Sequence, residues 1–238
     1  MIKRLLKICV VFLTFFTGLT AIYLGNLFFM KPFSIDHYLG KEMVVDLADS
    51  PESLTYFGVF DRFNHITKHN SKLTIPNYKD LENNILETEE KLVILRGYKD
   101  GSLSDEQKIT KKIAIFDTEN NLKELKEFPY HNYPLNQVRG AHQNIISFMS
   151  DQHPIRNLSE AKDFIKRTNL VKEVFKGQLQ WLEQQAAQGI YAPDFVYVHL
   201  IEQLNEFISY TFEEHPLYME FIKKINLLEI SDSDYAEL

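Results

Sequence analysis

The chain has 238 residues, of which 33 are acidic and 26 are basic, and its formal net charge is −7. All the acidic residues lie after Lys31, whereas four of the basic residues lie at or before it. The part after Lys31 is therefore acidic with interspersed charges, which excludes the basic face that nucleic-acid-binding proteins present. Its length is sufficient for one substantial hydrophobic core.

The first predicted element is an uncharged apolar run from Ile8 to Met30, which lies between the basic residues Lys3, Arg4 and Lys7 and the basic residue Lys31. A helix that rises about 1.5 Å per residue crosses a hydrocarbon core of about 30 Å over a run of this length. The basic residues before the run place the amino terminus in the cytoplasm. We therefore predict a cytoplasmic tip and transmembrane signal anchor over residues 1–31, with the lipid bilayer contacted by residues 8–30.

The alternative is a signal peptide that is cleaved after Ala21, which would remove residues 1–21 and leave an apolar amino terminus on the mature protein. Both alternatives place residues 32–238 outside the cytoplasm. Cys9 is the only cysteine of the chain. It follows Ile8 rather than the small residue that precedes a lipid-modified cysteine, so we predict that it simply faces lipid.

The next elements carry helix-start signals. Ser50 precedes Pro51, which combines a capping side chain with a proline suited to the first helical position. Charged residues surround one apolar stripe between Tyr78 and Leu95, as in a surface helix. Ser104 and Gln107 form a predicted capping box, and three apolar residues share one face after it: Ile109, Ile113 and Phe116.

The carboxy-terminal half continues this helical pattern. Asn157 is a predicted cap for a long helical region that stops at Gly189, and further helices are predicted to start at Pro193 and Pro216. Strand-like alternation is scarce. The sequence therefore predicts an all-α fold, with one amino-terminal transmembrane helix followed by an irregular multi-helix domain over residues 32–238.

The last residues predict an interrupted helix. Ser231 to Asp234 combine capping hydroxyls with acidic groups suited to a helix start, yet only Tyr235 to Leu238 follow. A single turn does not compensate for the cost of helix nucleation. We therefore expect the chain to be truncated where another helix begins.

The candidate site residues lie between Tyr133 and Arg156. Polar residues of this stretch are of the types that orient a peptide by hydrogen bonds or pair with its carboxylate: Asn136, Gln137, Arg139, His142 and His153. The alternative is a structural loop, in which Pro134 and Gly140 shape the backbone and the polar side chains bind exposed amides. The sequence favours the structural loop and leaves the substrate-binding interpretation open.

Other motifs predict no catalytic or metal-binding residue. His65 and His69 have the spacing of two zinc ligands on a helix, but their surroundings are turn-rich, so a solvated loop is favoured over a metal site. Cys9 lies in the apolar run, and no nucleophile motif or phosphate-binding glycine loop is present.

Four segments in order resemble the bacterial domain-of-unknown-function 885 (DUF885) family: Tyr133–Gln137 with Gly140, His153–Ile155 with Ala161, Gly189–Phe195 with Glu202–Leu204, and His215–Tyr218. The resemblance runs from about Phe33 to about Leu228. Arg139 stands where a small residue is common in the family, and Ala192 stands where a second proline is common.

The resemblance implies a largely helical fold related to gluzincin zinc metallopeptidases. In such proteins a His-Glu-x-x-Pro-Gly-His motif and a more distant glutamate hold zinc in the carboxy-terminal half of a longer chain. No His-Glu pair occurs in this sequence. Only the amino-terminal half of the family is therefore expected here, with no catalytic residue and no cofactor in the chain, and with zinc expected only in the missing carboxy-terminal half.

The combined prediction is a membrane-anchored amino-terminal fragment of a metallopeptidase-like protein. The expected partners are a separately encoded carboxy-terminal half and peptides. A bacterial family places the anchor in the inner membrane, as a single pass, and the remainder in the periplasm. Whether the chain is an enzyme stays open, because it lacks the zinc motif and is not expected to be active alone. The alternative function is a stand-alone extracytoplasmic helical module that binds a peptide or a protein.

Overall fold

The computed structural model describes residues 2–228, 231, 233, 235 and 238. No β-strand occurs among these residues, so the prediction of an all-α fold is confirmed. The α-helices are α1 (Ile2–Phe29), α2 (Ile35–Ala48), α3 (Pro51–Phe57), α4 (Asn64–Thr67), α5 (Leu81–Arg96), α6 (Asp105–Glu127), α7 (Ala141–Ser147), α8 (Leu158–Asn169), α9 (Val171–Ala187), α10 (Asp194–Ser209) and α11 (Pro216–Ile225). Short 3-10 helices (Asp61–Phe63, His69–Ser71, Tyr78–Asp80 and Asp100–Ser102) and one π-helix (Phe148–Gln152) complete the secondary structure.

The predicted helix starts at Ser50 and at Ser104 are confirmed by capping hydrogen bonds. The Ser50 hydroxyl accepts the amide of Ser53, with Pro51 at the first helical position. The amides of Ser104 and Gln107 each donate to the other residue's side chain, at 3.0 and 3.2 Å. In the predicted start at Ser231–Asp234, Asp232 and Asp234 lie outside the described part of the chain.

Within the described part of the chain, the segment Lys7–Phe29 of α1 is long and apolar enough to cross a membrane, and the 18-residue stretch that satisfies this criterion is not buried. This criterion uses length and composition alone, and a signal sequence near the amino terminus satisfies it too. Both the anchor and the cleaved signal peptide therefore remain consistent with the structure.

The chain forms two compact units. Unit 1 comprises Met1–Asp46 and Asn84–Glu124, and unit 2 comprises Leu47–Asn83 and Leu125–Leu238. The predicted boundary between residues 1–31 and 32–238 stays a prediction.

Unit 1 joins the end of α1 to the loop after α5. The side-chain amide of Asn26 donates to the Lys31 carbonyl and accepts the Phe33 amide, at 2.9 and 2.8 Å. The Tyr98 hydroxyl donates to the Pro32 carbonyl at 2.8 Å, and the Lys31 ammonium donates to the Gly97 carbonyl at 2.8 Å. The apolar core of unit 1 contains Ile35, Tyr38, Leu95 and Tyr98.

The predicted apolar stripe of α6 lies on a different side of the helix from the face that packs. Ile109, Ile113 and Phe116 share one face as predicted, but they are exposed. The helix packs instead through Ala114 and Ile115. The sequence pattern therefore marks an apolar stripe without showing whether a neighbouring element covers it.

The core of unit 2 is built from α7, α8, α9, α11 and the loops between them. Its buried residues are Leu73, Ala141, Ile145, Met149, Ile155, Ala161, Phe164, Val174, Leu217 and Ile225. The long helical region is divided at Leu170 into α8 and α9, and Gly189 stops α9 as predicted, with φ at +72°.

Gly177 allows α9 to approach the segment before the Tyr78–Asp80 turn. A Cβ atom at this position would overlap the Pro76 carbonyl oxygen and lie 3.2 Å from the Pro76 carbonyl carbon. We expect Gly177→Ala to lower the free energy of unfolding by about 2 kcal/mol, because backbone atoms cannot move aside as a flexible side chain can. Chemical denaturation followed by circular dichroism measures this loss.

Gly40→Ala is the matched control, because Gly40 lies in helix α2 and a Cβ atom there meets nothing within 4 Å. Alanine should stabilise that helix by up to about 1 kcal/mol. Equal effects of the two substitutions would contradict the close approach at Gly177.

Candidate functional site

Asn136 holds together the beginning of the predicted site stretch between Tyr133 and Arg156. Its side-chain oxygen accepts the amides of Val138 and Arg139, at 3.0 and 2.8 Å, and its side-chain nitrogen donates to the Tyr133 carbonyl at 3.0 Å. Both ends of the Asn136 amide are thus used within the loop. This geometry corresponds to the structural alternative for Asn136.

Gln137 and His142 connect this loop to helix α10 through Gln203. The Gln203 side chain donates to the Gln137 carbonyl at 3.1 Å, and its oxygen lies 3.1 Å from Nε2 of His142. This pairing assigns the imidazole proton to Nε2. The ring is buried, and its Nδ1 has no hydrogen-bond partner in the described part of the chain. Gly140 lies so close that a Cβ atom would overlap the His142 ring.

His153 lies in the interior of unit 2. Its Nδ1 accepts a hydrogen bond from Arg167 at 2.9 Å, and its Nε2 lies 3.3 Å from the Glu160 carbonyl. Burial, followed by the positive charge of Arg167, lowers the pKa of His153 to about 3. The imidazole is therefore neutral at physiological pH and serves as an acceptor for the guanidinium.

Arg167 on α8 is the centre of this buried polar network. Its guanidinium donates to the Lys72 carbonyl at 2.7 Å, to the Thr55 hydroxyl at 2.9 Å and to the His69 carbonyl. Burial lowers the pKa of Arg167 to about 10, so the group stays charged near neutral pH. The Arg167 side chain is fully buried, and several of its N–H groups donate hydrogen bonds. These bonds connect α8 to segments that are distant in sequence, since Lys72 lies 95 residues from Arg167.

Arg167 is not among the residues predicted from the sequence, although the sequence carries a signal for it. Arg167 follows Ala161 and Phe164 at successive three-residue intervals, and those two residues are core residues of α8. An arginine on an apolar helical stripe is a candidate for burial with satisfied hydrogen bonds.

The prediction of a solvated loop at His65 and His69 is wrong for His69. His65 is exposed, whereas His69 is buried with Nδ1 2.6 Å from the Thr67 hydroxyl and Nε2 3.6 Å from the Asp61 carboxylate. Burial lowers the pKa of His69. The two histidines do not share a helical face, because α4 ends at Thr67 and Lys68 takes a left-handed conformation with φ at +52°.

The zinc that the resemblance implies finds no matching donor set in the described residues. No three histidine, cysteine, aspartate or glutamate side chains among them lie close enough together to hold a metal ion.

A cleft with a cavity volume of about 590 Å³ lies beside the loop of Asn136. Of the five predicted site residues, Asn136 and Arg139 line it, together with Gln178 of α9. His142 and His153 are buried elsewhere against protein partners. The structure thus places Asn136 and Arg139 at the cleft, Gln137 and His142 against Gln203 of α10, and His153 in the Arg167 network, and the substrate-binding role stays a prediction.

The sequence model of a family described as "Bacterial protein of unknown function (DUF885)" matches residues 51–237. The chain belongs to the DUF885 family. The match contains both the cleft and the Arg167 network of this DUF885 chain. No curated protein matches the sequence.

One solved structure with a similar fold is "the putative lipoprotein from Colwellia psychrerythraea". It superposes on this DUF885 chain with a TM-score of 0.63 at 17% sequence identity. The match covers 80% of this chain and 35% of that one, so the chain spans about a third of the length of the Colwellia protein. At this identity the similarity shows a shared fold.

Proposed function

We propose that this DUF885 protein is a membrane-anchored helical module that binds the part of a DUF885-type fold that the chain does not contain. In this proposal α1 holds the protein in the bacterial inner membrane, and the remaining residues lie in the periplasm. Zinc and peptide hydrolysis belong to the bound part, and the present chain contributes the amino-terminal part without being active alone. The observation that carries the proposal is the surface of α10.

Helix α10 has two apolar faces. Val196 and Leu200 are buried on one face. On the other face four large apolar side chains are 56–74% exposed: Phe195, Val198, Ile201 and Ile208. Their spacing of three and seven residues places them along one stripe of the helix. An apolar stripe of this kind on a soluble surface indicates a binding face.

The similarity to the Colwellia protein supports the occupant that we propose for this stripe. The match accounts for 35% of that chain, so most of the longer protein has no counterpart in the present chain. A helix that is apolar on both sides is typical of the interior of a larger protein. We therefore assign the exposed α10 face to the remainder of a DUF885-type fold.

The second candidate function is a stand-alone peptide- or protein-binding module. The cleft beside Asn136 favours it, because the buried side-chain oxygen of Gln178 has no hydrogen-bond partner among the described residues that surround it. This candidate requires ligand binding by the chain alone, whereas the first requires a second polypeptide segment.

The first candidate is tested by co-purification with a polypeptide that carries a His-Glu-x-x-Pro-Gly-His motif, encoded by the DNA beyond codon 238 in any frame or by a neighbouring gene. We expect wild-type protein to retain that polypeptide and the double variant Val198→Asp, Ile201→Asp to lose it. Both replaced side chains are more than half exposed, so the free energy of unfolding should change by less than about 0.5 kcal/mol for each substitution.

Ile66→Asp is the matched control, because Ile66 is 69% exposed in unit 2 but lies outside α10. It should leave co-purification unchanged. Retention of the zinc-motif polypeptide by the double variant, at wild-type yield, would refute the assignment of the α10 face.

A further inference from the structure

Gln178 of α9 is buried in a way that indicates a missing hydrogen-bond donor. The residue is 7% exposed and lines the cleft, and its side-chain oxygen has no partner among the described residues. A buried amide oxygen without a donor costs about 1–3 kcal/mol. Because the Gln178 oxygen has already lost its contact with water, an N–H group supplied by a ligand would bind it at no further desolvation cost to the glutamine.

Arg139 supplies the second polar feature of the same cleft. Its backbone is held at both ends, since its amide donates to Asn136 and its carbonyl accepts from the Asn144 side chain. Its guanidinium makes no ion pair or hydrogen bond with any residue that the structure describes. A fixed backbone with a free guanidinium is suited to capture of a carboxylate.

The acidic residue of the cleft does not compete for Arg139. Both carboxylate oxygens of Glu52 are engaged by Thr74, one by its amide and one by its hydroxyl, each at 2.7 Å. Glu52 and Arg139 are the charged residues among those that line the cleft in the described structure. Glu52 keeps its negative charge, but its oxygens are occupied by Thr74, so the guanidinium of Arg139 is the charged group of the lining that is left to pair with a ligand.

Apolar side chains complete the lining. Leu73, Ile145, Phe148 and Val174 line the same cleft, and the volume of about 590 Å³ is within the range of small-ligand sites. A ligand that fits this lining carries a small apolar group between its amide and its carboxylate.

We propose that the cleft binds an N-acylated amino acid unit that ends in a free carboxylate, whose amide N–H meets Gln178 and whose carboxylate pairs with Arg139. Two sources share this chemistry, namely the carboxy-terminal end of a peptide and a free N-acyl amino acid or dipeptide. The site lies in the described part of unit 2 and does not use the exposed face of α10. Failure of the cleft proposal and failure of the proposed function are therefore distinguishable.

The experiment titrates the full chain, held in lipid nanodiscs, with acetyl-Ala-Ala and with its carboxamide. Trp181, three residues after Gln178 on α9, is the only tryptophan of the chain and reports binding by its fluorescence, and calorimetry gives the affinity. We expect the acid to bind about tenfold more tightly than the carboxamide, because a charge-assisted pair with arginine exceeds a neutral hydrogen bond.

Two variants separate the two contacts. Arg139→Gln should bring the ratio of the two affinities to about one, whereas Gln178→Leu should weaken both compounds by about tenfold and keep their ratio. Arg62→Gln is the matched control, because Arg62 is an exposed arginine of unit 2 outside the cleft, and it should bind as the wild type does. Gln178→Leu removes an unsatisfied buried group, so an unchanged or higher melting temperature will show that it folds.

A longer peptide ending in Ala-Ala distinguishes the two sources. Binding at least as tight as that of acetyl-Ala-Ala supports a peptide end as the ligand, and weaker binding supports a free acylated amino acid. Three results would each overturn the proposal. The wild type binds acid and carboxamide equally well, neither compound shows saturable binding, or Arg139→Gln still prefers the acid as the wild type does.

Discussion

Replacing Arg167 by methionine is expected to lower the free energy of unfolding by about 3–5 kcal/mol, the largest effect of any single substitution that we predict. The guanidinium is fully buried, and its loss leaves the Thr55 hydroxyl, Nδ1 of His153 and two backbone carbonyls without their donor. Methionine fills a comparable volume but donates no hydrogen bond. Chemical denaturation followed by Trp181 fluorescence measures the loss.

Arg156→Gln is the matched control for charge. Arg156 pairs with Asp61 and Glu160, each at 2.7 Å, but its side chain is 56% exposed. We expect a loss of less than about 1 kcal/mol, because solvent screens exposed ion pairs. An Arg167→Met variant as stable as Arg156→Gln would show that the buried network does not hold unit 2 together.

Acidification is expected to destabilise unit 2 well above the range in which most carboxylates titrate. The pKa of His153 falls from about 6.5 in the unfolded chain to about 3 in the folded protein. Below pH 6.5 His153 binds a proton in the unfolded state but not in the folded state. The contribution of His153 to the free energy of unfolding is therefore fully present above that pH and declines as the pH falls towards 3. Between pH 8 and pH 4.5 this one group accounts for a loss of about 2–3 kcal/mol.

The measurement is the free energy of unfolding of the wild type and of His153→Gln at several pH values in that window. The variant should show a smaller decline, and part of the decline should persist because burial also lowers the pKa of His69 and of His215. Identical pH profiles for the two proteins would contradict the buried, neutral state of His153.

Local sequence signals predicted the helices well because their causes are local. The capping box of Ser104 and Gln107 and the proline start at Pro51 are contacts within one turn. The same holds for the arrest of α9 before Gly189, which needs only a left-handed residue. The family resemblance, carried by four short motifs, is confirmed by the match over residues 51–237.

Burial of polar side chains was not predictable in the same way because its causes are distant in sequence. Arg167 donates hydrogen bonds to Lys72 and Thr55, which lie 95 and 112 residues away in sequence. The periodicity of apolar residues along a helix does not predict such distant contacts. His69 was placed in solvent for the same reason, since its neighbours in sequence are polar while its neighbours in space include Arg167. An apolar stripe is also ambiguous, as α6 and α10 show, because covered and uncovered stripes have the same pattern.

In the proposed function, the exposed face of α10 binds the remainder of a DUF885-type fold. The most direct test places a single cysteine at Val198 in a Cys9→Ser background, holds the full chain in nanodiscs and measures the rate of maleimide labelling. Val198 is 58% exposed, so labelling should be fast in the chain alone and slow once the zinc-motif polypeptide is added, whereas a cysteine at Ile66 should label equally fast in both states. Equal labelling rates at Val198 with and without that polypeptide would contradict the claim.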